Sequence, residues 1–100
     1  MAETITKVRQ SKITKIKEPG KYKVVIYNDD KTPMDFVIAL FVSVFRHTEA
    51  AAIDLTMKIH NEGSAIGGVY SYEIAEQKGV EATTLVKHHG HPLAIRVEPE

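Results

Sequence analysis

The chain contains no cysteine, which excludes disulfide bonds, thiol catalysis and cysteine-ligated zinc. Its 13 basic and 13 acidic side chains cancel, so the charge excess expected of a nucleic-acid binder is missing. The longest nearly apolar run, residues 36–45, is too short to span a membrane. The first twenty residues have no continuous apolar core and do not match a secretory signal.

Catalytic and phosphate-binding motifs are also missing from the sequence. It has no glycine-rich phosphate loop, no Gly-x-Ser-x-Gly and no His-Glu-x-x-His. We therefore expect neither a cofactor nor an enzyme that relies on such a motif.

What is present suits one domain with a single core, since 43% of the 100 residues are hydrophobic. Residues 1–20 are rich in Lys, Thr and Ile and end in the breaker Pro19-Gly20, which predicts a flexible N-terminal arm. Residues 21–100 are expected to form the folded domain.

The apolar pattern predicts six elements. Alternation predicts a strand over residues 22–27, and a wide apolar face predicts a helix through residues 36–45. Thr32 can cap this helix, with Pro33 at its first helical position. The remaining predictions are a helix over residues 50–61 ended by Gly63, a strand over 65–70, a helix over 72–88 and a strand over 92–97.

Helical spacing also predicts which side chains face inward. For the second helix these are Ala52, Ile53, Thr56, Met57 and His60. For the third helix they are Ala75, Val80, Leu85 and Val86, with Gly79 as an unfavourable helical residue. The order β-α-α-β-α-β predicts an α+β fold in which three helices pack on one face of a three-stranded antiparallel sheet.

The acidic run Asn28-Asp29-Asp30 lies between the first predicted strand and helix, with no basic residue before Lys31. One interpretation is a strand-to-helix connection, in which Asn and Asp satisfy local backbone groups. The other is a site for a protonated amine, whose three N–H donors need acceptors around them. The residues alone leave both open.

Histidines form two further candidate sites. His60 follows Thr56 by one helical turn and can be a satisfied core residue or can offer a neutral ring nitrogen to an amine. The run His88-His89-Gly90-His91 could bind a metal, but its spacing matches no standard site, so a solvated loop is the other interpretation.

Beyond these separate features, the chain resembles the ClpS family, the adaptors of the bacterial N-end rule pathway. The resemblance is carried by Asn-Asp-Asp-Lys-Thr-Pro-Met-Asp-Phe-Val over residues 28–37 and by His60. It continues through Ala-Ile-Gly-Gly-Val-Tyr over residues 65–70 and His91-Pro92-Leu93, and covers nearly all of the chain outside the arm.

The resemblance implies a non-enzymatic adaptor in a bacterial cytoplasm or a plastid. Such an adaptor binds proteins by a free, bulky apolar first residue, an N-degron, and delivers them to a ClpA- or ClpC-type AAA+ unfoldase with the ClpP peptidase. It implies that the amine is held by Asn28, Asp29 or its backbone, and His60. It implies a side-chain pocket formed by Asp30, Thr32, Met34, Val37, Thr56 and Leu93, and an unfoldase contact at Glu73 and Lys78.

Thr56 departs from the family pattern, because the family usually has a gating Met four residues before the histidine. Thr is shorter and polar, so we expect a more open pocket rim. Discrimination against Ile and Val would then be weaker, or the ranking among Phe, Tyr, Trp and Leu shifted. The alternative function is a ClpS-like modulator that binds the unfoldase but has altered or different degron specificity.

Two other classes of protein remain as alternatives. An enzyme could use Asp29, Asp30 and His60 as acid and base, although no nucleophile, metal-ligand set or cofactor motif accompanies them. A structural domain resembling those of the ribosomal stalk would share the α+β shape but would not need the acidic run.

Overall fold

Strand β1 (Tyr22–Tyr27) is the central strand of the sheet in the computed structural model, which describes residues 20–100. The other elements are α1 (Met34–Ser43), α2 (Glu49–Glu62), β2 (Ser64–Tyr70), α3 (Tyr72–His88) and β3 (Ala94–Pro99). Both β2 and β3 pair antiparallel with β1, giving the order β2–β1–β3. The α+β fold and the order β-α-α-β-α-β are confirmed. The arm predicted for residues 1–20 lies outside the described residues, apart from Gly20.

The core lies between one face of the sheet and the three helices. Val24 and Ile26 of β1 are fully buried, and their neighbours on the chain alternate toward the opposite face. Phe41 of α1 is also fully buried and belongs to the same apolar cluster. None of the helices within residues 20–100 is long and apolar enough to cross a membrane.

A bulge in β2 lets the sheet approach the end of α1. Val24 pairs with Gly68 and Val25 with Ile66, so Gly67 is the extra residue. A Cβ at Gly67 would lie 2.9 Å from ring carbons of Phe45. The close backbone approach predicted for this strand is therefore real, and any side chain at Gly67 would push the Phe45 ring away.

The first helix begins differently from the prediction. Thr32 was expected to be its cap and Pro33 its first residue, but Pro33 is the cap and the helix starts at Met34. The Thr32 hydroxyl donates to the Asp29 carboxylate instead. This hydrogen bond to a charged acceptor orients the Thr32 hydroxyl toward the turn before the helix.

The second helix matches its predicted ends but not its whole predicted inner side. Thr48 caps it by accepting from the Ala51 N–H at 3.1 Å, and Gly63 ends it in the left-handed region. The buried residues are Ala52, Thr56 and Ile59. The placement of Ile53, Met57 and His60 inside was wrong, because all three are exposed on the flank next to the buried row.

The third helix packs through smaller residues than predicted. It spans Tyr72–His88 as expected, but Val80 is 63% exposed and does not face inward. The buried residues are Ala75, Gly79, Ala82 and Val86. Their small size lets the helix axis lie close to the sheet, so its largest apolar side chains are not the ones it buries.

The last strand begins two residues later than predicted, at Ala94. On the face of the sheet away from the helices, Tyr27 donates a hydrogen bond to Glu98. This bond raises the pKa of Tyr27, and desolvation and the negative charge of Glu98 act in the same direction. It joins the end of β1 that precedes the acidic run to β3.

Gly79 lies where α3 packs closely against β3, and it allows a test of this packing. A Cβ there would lie 2.9 Å from Val97 Cγ2, and Val is stiff about its Cα–Cβ bond. We expect Gly79→Ala to lower the free energy of unfolding by about 1 kcal/mol, because overpacking outweighs the gain in helix propensity. Urea unfolding measures the change.

The control for this prediction is the same substitution with Val97→Ala in the background, which removes the facing methyls. In the Val97→Ala background, Gly79→Ala should leave the free energy of unfolding unchanged or raise it. A stabilising effect of Gly79→Ala with Val97 intact would contradict the close packing.

Candidate functional site

The Asp29 carboxylate organises the turn between β1 and α1. Its Oδ2 accepts from the Thr32 N–H at 2.8 Å, from the Lys31 N–H at 3.3 Å and from the Thr32 hydroxyl. An Asp that accepts from the backbone two and three residues ahead forms an Asx-type turn. The acidic run is therefore a strand-to-helix connection with a defined shape, and this shape does not exclude a binding role.

A backbone hydrogen bond ties this turn to the end of α2. The Asn28 N–H donates to the Gly63 carbonyl at 2.8 Å, and the Gly63 N–H donates to the Ile59 carbonyl at 2.8 Å. The start of the acidic run is thus held beside the last turn of α2, which carries His60. Residues more than thirty positions apart in sequence are brought to one place by this bond.

A cavity of about 200 Å³ lies where these elements meet. It is smaller than the pockets of roughly 300–1,000 Å³ that hold drug-sized ligands, and its size suits one side chain. Its lining is Asn28, Asp29, Asp30, Thr32, Met34, Val37, Thr56, Ile59, His60 and Leu93. All nine residues that the resemblance assigns to amine binding or to the side-chain pocket are therefore brought together around one cavity.

The lining combines two kinds of chemistry. Carboxylate, carboxamide and imidazole groups come from residues 28–30 and His60, and apolar side chains come from α1, α2 and the segment before β3. His60 is exposed, so it stands at the rim and not at the bottom of the cavity. The geometry can accept hydrogen bonds from a ligand at one part and bury an apolar group at another.

Ile59 is the lining residue that sequence reasoning missed. It is 3% exposed and precedes His60, which was assigned to the inner side instead. The signal was present, because Ala52, Thr56 and Ile59 follow the spacing of one helical face. The competing row of Ile53 and Met57 obscured it.

Thr56 is buried, with 3% of its surface exposed, and its hydroxyl has a partner within its own helix. The Oγ1–H donates to the Ala52 carbonyl at 2.8 Å. The hydroxyl proton is thereby used, so Thr56 offers the cavity an acceptor oxygen and a methyl group but no free donor.

The histidine-containing segment after α3 packs against α1. The Phe36 ring lies 4.6 Å from the His91 ring and 5.2 Å from the His89 ring, measured between centroids. These contacts hold the segment beside α1, where Leu93, 7% exposed, reaches the cavity. In the part of the chain that the structure describes, no three His, Asp or Glu side chains are placed to hold a metal ion.

Fold and cavity together define a small α+β binding domain, and comparisons with known proteins identify its family. Residues 17–96 match the model of "ATP-dependent Clp protease adaptor protein ClpS". The chain is 40% identical over 96 residues to the ATP-dependent Clp protease adapter protein ClpS of Shewanella piezotolerans, covering 96% of this chain and 94% of that protein. It is 42% identical over 85 residues to the ATP-dependent Clp protease adapter protein ClpS of Helicobacter hepaticus, covering 85% of this chain and 86% of that protein. The chain belongs to the ClpS family of Clp protease adaptors.

A solved structure shows the same fold. Agrobacterium tumefaciens ClpS2 bound to L-phenylalaninamide superposes with a TM-score of 0.79 at 43% sequence identity. The match covers 83% of this chain and 100% of that one.

The two residues assigned to unfoldase contact lie on α3 and differ in their surroundings. Glu73 is exposed in the first turn. Lys78 is half-buried, and its ammonium donates to the Val44 carbonyl at 2.8 Å, just beyond the last residue of α1. A cation at a helix C-terminus satisfies an otherwise unpaired carbonyl and complements the helix dipole.

Lys78→Met tests whether Lys78 stabilises the end of α1. We expect it to lower the free energy of unfolding by about 1 kcal/mol. This is the contribution of a hydrogen bond from a charged donor, reduced because Lys78 is partly exposed. Lys87→Met, at an exposed position on the same helix, is the matched control and should change stability by less than about 0.5 kcal/mol. Equal changes in the two variants, measured by urea unfolding, would contradict a specific role for Lys78.

Proposed function

We propose that this chain is an N-degron adaptor: it binds proteins by a free, bulky apolar first residue and delivers them to a Clp AAA+ unfoldase with ClpP. The observation that carries the proposal is the cavity, which combines the acidic turn and His60 with apolar walls. The relative from Agrobacterium tumefaciens is bound to L-phenylalaninamide, a ligand with a free amino group and a benzyl side chain. These are the two groups that such a cavity would recognise.

In this proposal the ammonium of the bound chain is held by Asn28, Asp29 and His60. Oδ2 of Asp29 already accepts three hydrogen bonds within its own turn, so the groups left for the amine are Oδ1 and the backbone. The same commitment of Oδ2 argues against Asp29 as a catalytic base, and we assign the site to binding without catalysis. The protein would act in the cytoplasm, which suits a chain without cysteine.

The apolar side chain of the first residue enters the rest of the cavity in this proposal. Its walls are Asp30, Thr32, Met34, Val37, Thr56 and Leu93, with Ile59 added by the structure. Burying one large apolar side chain contributes roughly 1.5–3 kcal/mol, which alone gives weak binding. The amine contacts therefore have to supply both affinity and the selectivity for a free N-terminus.

Delivery requires a surface for the unfoldase, of the ClpA or ClpC type, and we assign it to the start of α3. Glu73 is the more informative residue there, because its carboxylate is exposed. Lys78 is less informative, since losing its bond to the Val44 carbonyl would weaken the fold as well as any contact with the unfoldase. Charge reversal at Glu73 is the cleaner probe of docking.

The main test compares a free and an N-acetylated peptide that begin with Phe, by calorimetric titration. We expect the acetylated peptide to bind at least about tenfold more weakly, because acetylation removes the charge and leaves site acceptors unpaired. The variant His60→Ala should reduce the difference in affinity between the two peptides. Equal affinity for both, or no binding of either, would refute the adaptor function and favour a modulator that does not read N-degrons.

Thr56→Met tests which first residues are accepted. The structure adds that the Thr56 hydroxyl proton is occupied, so a longer side chain would change the shape of the cavity more than its hydrogen bonding. We expect the native protein to bind Ile- and Val-initiated peptides relatively better, or to rank Phe, Tyr, Trp and Leu differently, than the Thr56→Met variant. An identical order of affinities for the six peptides in both proteins would sink this hypothesis.

A further inference from the structure

A row of exposed side chains on α2 leads away from the cavity. Ile53, Met57 and His60 follow one another at spacings of four and three residues, so they share one flank of the helix. Ile53 is 43% exposed and Met57 is 41% exposed, whereas His60 lines the cavity rim. The row therefore begins at the cavity and continues with two large apolar side chains.

The dimensions of the helix place this pair within reach of a bound chain. With a rise of 1.5 Å per residue, Met57 lies about 4.5 Å from His60 along the helix axis, and Ile53 lies about 10 Å away. An extended chain advances about 3.3 Å per residue. If its first residue is held at His60, its second and third residues span the distance to Met57 and approach Ile53.

The position of the pair distinguishes it from ordinary exposed apolar residues, which are common and need no explanation. The solvent side of α2 carries charged residues, including Asp54 and Lys58, and the apolar pair occupies the flank that adjoins the cavity. Met34, a cavity residue from α1, is also 42% exposed. The apolar pair thus lies on the same helix flank as His60, which lines the cavity, and is not scattered over the helix.

We propose that Ile53 and Met57 form a second subsite, which takes an apolar side chain at position two or three of the bound chain. This inference rests on the proposed function, because it needs a chain anchored by its first residue. It adds a preference that the cavity itself does not give. Proteins with the same first residue would then be bound with different affinities according to the residues that follow.

The test is a calorimetric titration with two free peptides, Phe-Leu-Leu and Phe-Ser-Ser at the start of otherwise identical sequences. We expect the Leu peptide to bind about three to ten times more tightly, from partial burial of apolar surface. In the double variant Ile53→Ser, Met57→Ser the ratio should fall to about one. Val42→Ser, at a similarly exposed apolar position on α1, is the matched control and should keep the native ratio.

Introducing a charge at position 57 supplies a second readout, which is a change of peptide preference and not a loss of affinity. Met57→Lys should shift the preference toward peptides with Asp in place of Leu. Peptides with Leu at only position two or only position three assign the subsite to one of them.

The outcomes separate this inference from the function on which it rests. Failure of both peptides to bind the native protein would refute the proposed function itself. Equal binding of the two peptides, or a Leu preference that survives in the double variant, would overturn the second subsite and leave the N-degron function standing.

Discussion

The hydrogen bonds accepted by the Asp29 carboxylate are the interaction on which the site depends. They fold residues 29–32 into a compact turn, so that the chain can pass from the central strand to α1 within a few residues. Because Asn28 is held at the same time by the Gly63 carbonyl, the turn is fixed both to the helix it precedes and to the end of α2. The cavity is the space that remains between these anchored segments.

Close packing of the sheet against α3 and against the residues after α1 frames the domain around that space. Glycine at positions 67 and 79 allows backbone to approach where a methyl group would collide with Phe45 or Val97. The interior of such a domain deforms little, so a side chain that enters the cavity meets fixed walls. Gly67 and Gly79 do not line the cavity, so they can affect its shape only through the placement of the helices.

Much of the fold and site could be predicted from the sequence, and the errors share a cause. The order of elements and the Gly63 helix end follow from strong local signals, whereas the grouping of residues 28–37 with His60 came from the resemblance to the ClpS family. Two buried residues of α3 were harder, since Gly79 and Ala82 are too small to stand out in an apolar pattern, and the exposed Val80 was placed inside instead. Thr32 does not cap the helix because its hydroxyl is oriented toward the Asp29 carboxylate, three residues earlier, and the helix begins after Pro33.

Ile53 and Met57 were misplaced for a different reason, which is informative about the site. Helical spacing alone cannot separate a buried row from the apolar row beside it. In the sequence the two rows form one wide apolar face, and only the position of the sheet shows that the row of Ile53 and Met57 is exposed. An apolar excess on a helix can thus contain an exposed row as well as a buried one.

The two ends of the described domain meet at one side, where the Glu100 N–H donates to the Lys21 carbonyl at 3.0 Å. Asn28 and the cavity lie at the other end of β1, which at six extended residues is about 20 Å away. The central strand thus separates the cavity at one end from Lys21 and Glu100 at the other. A fluorophore, a surface linker or a fused protein attached next to Lys21 or Glu100 would leave the mouth of the cavity open, which makes the domain easy to immobilise without blocking what it binds.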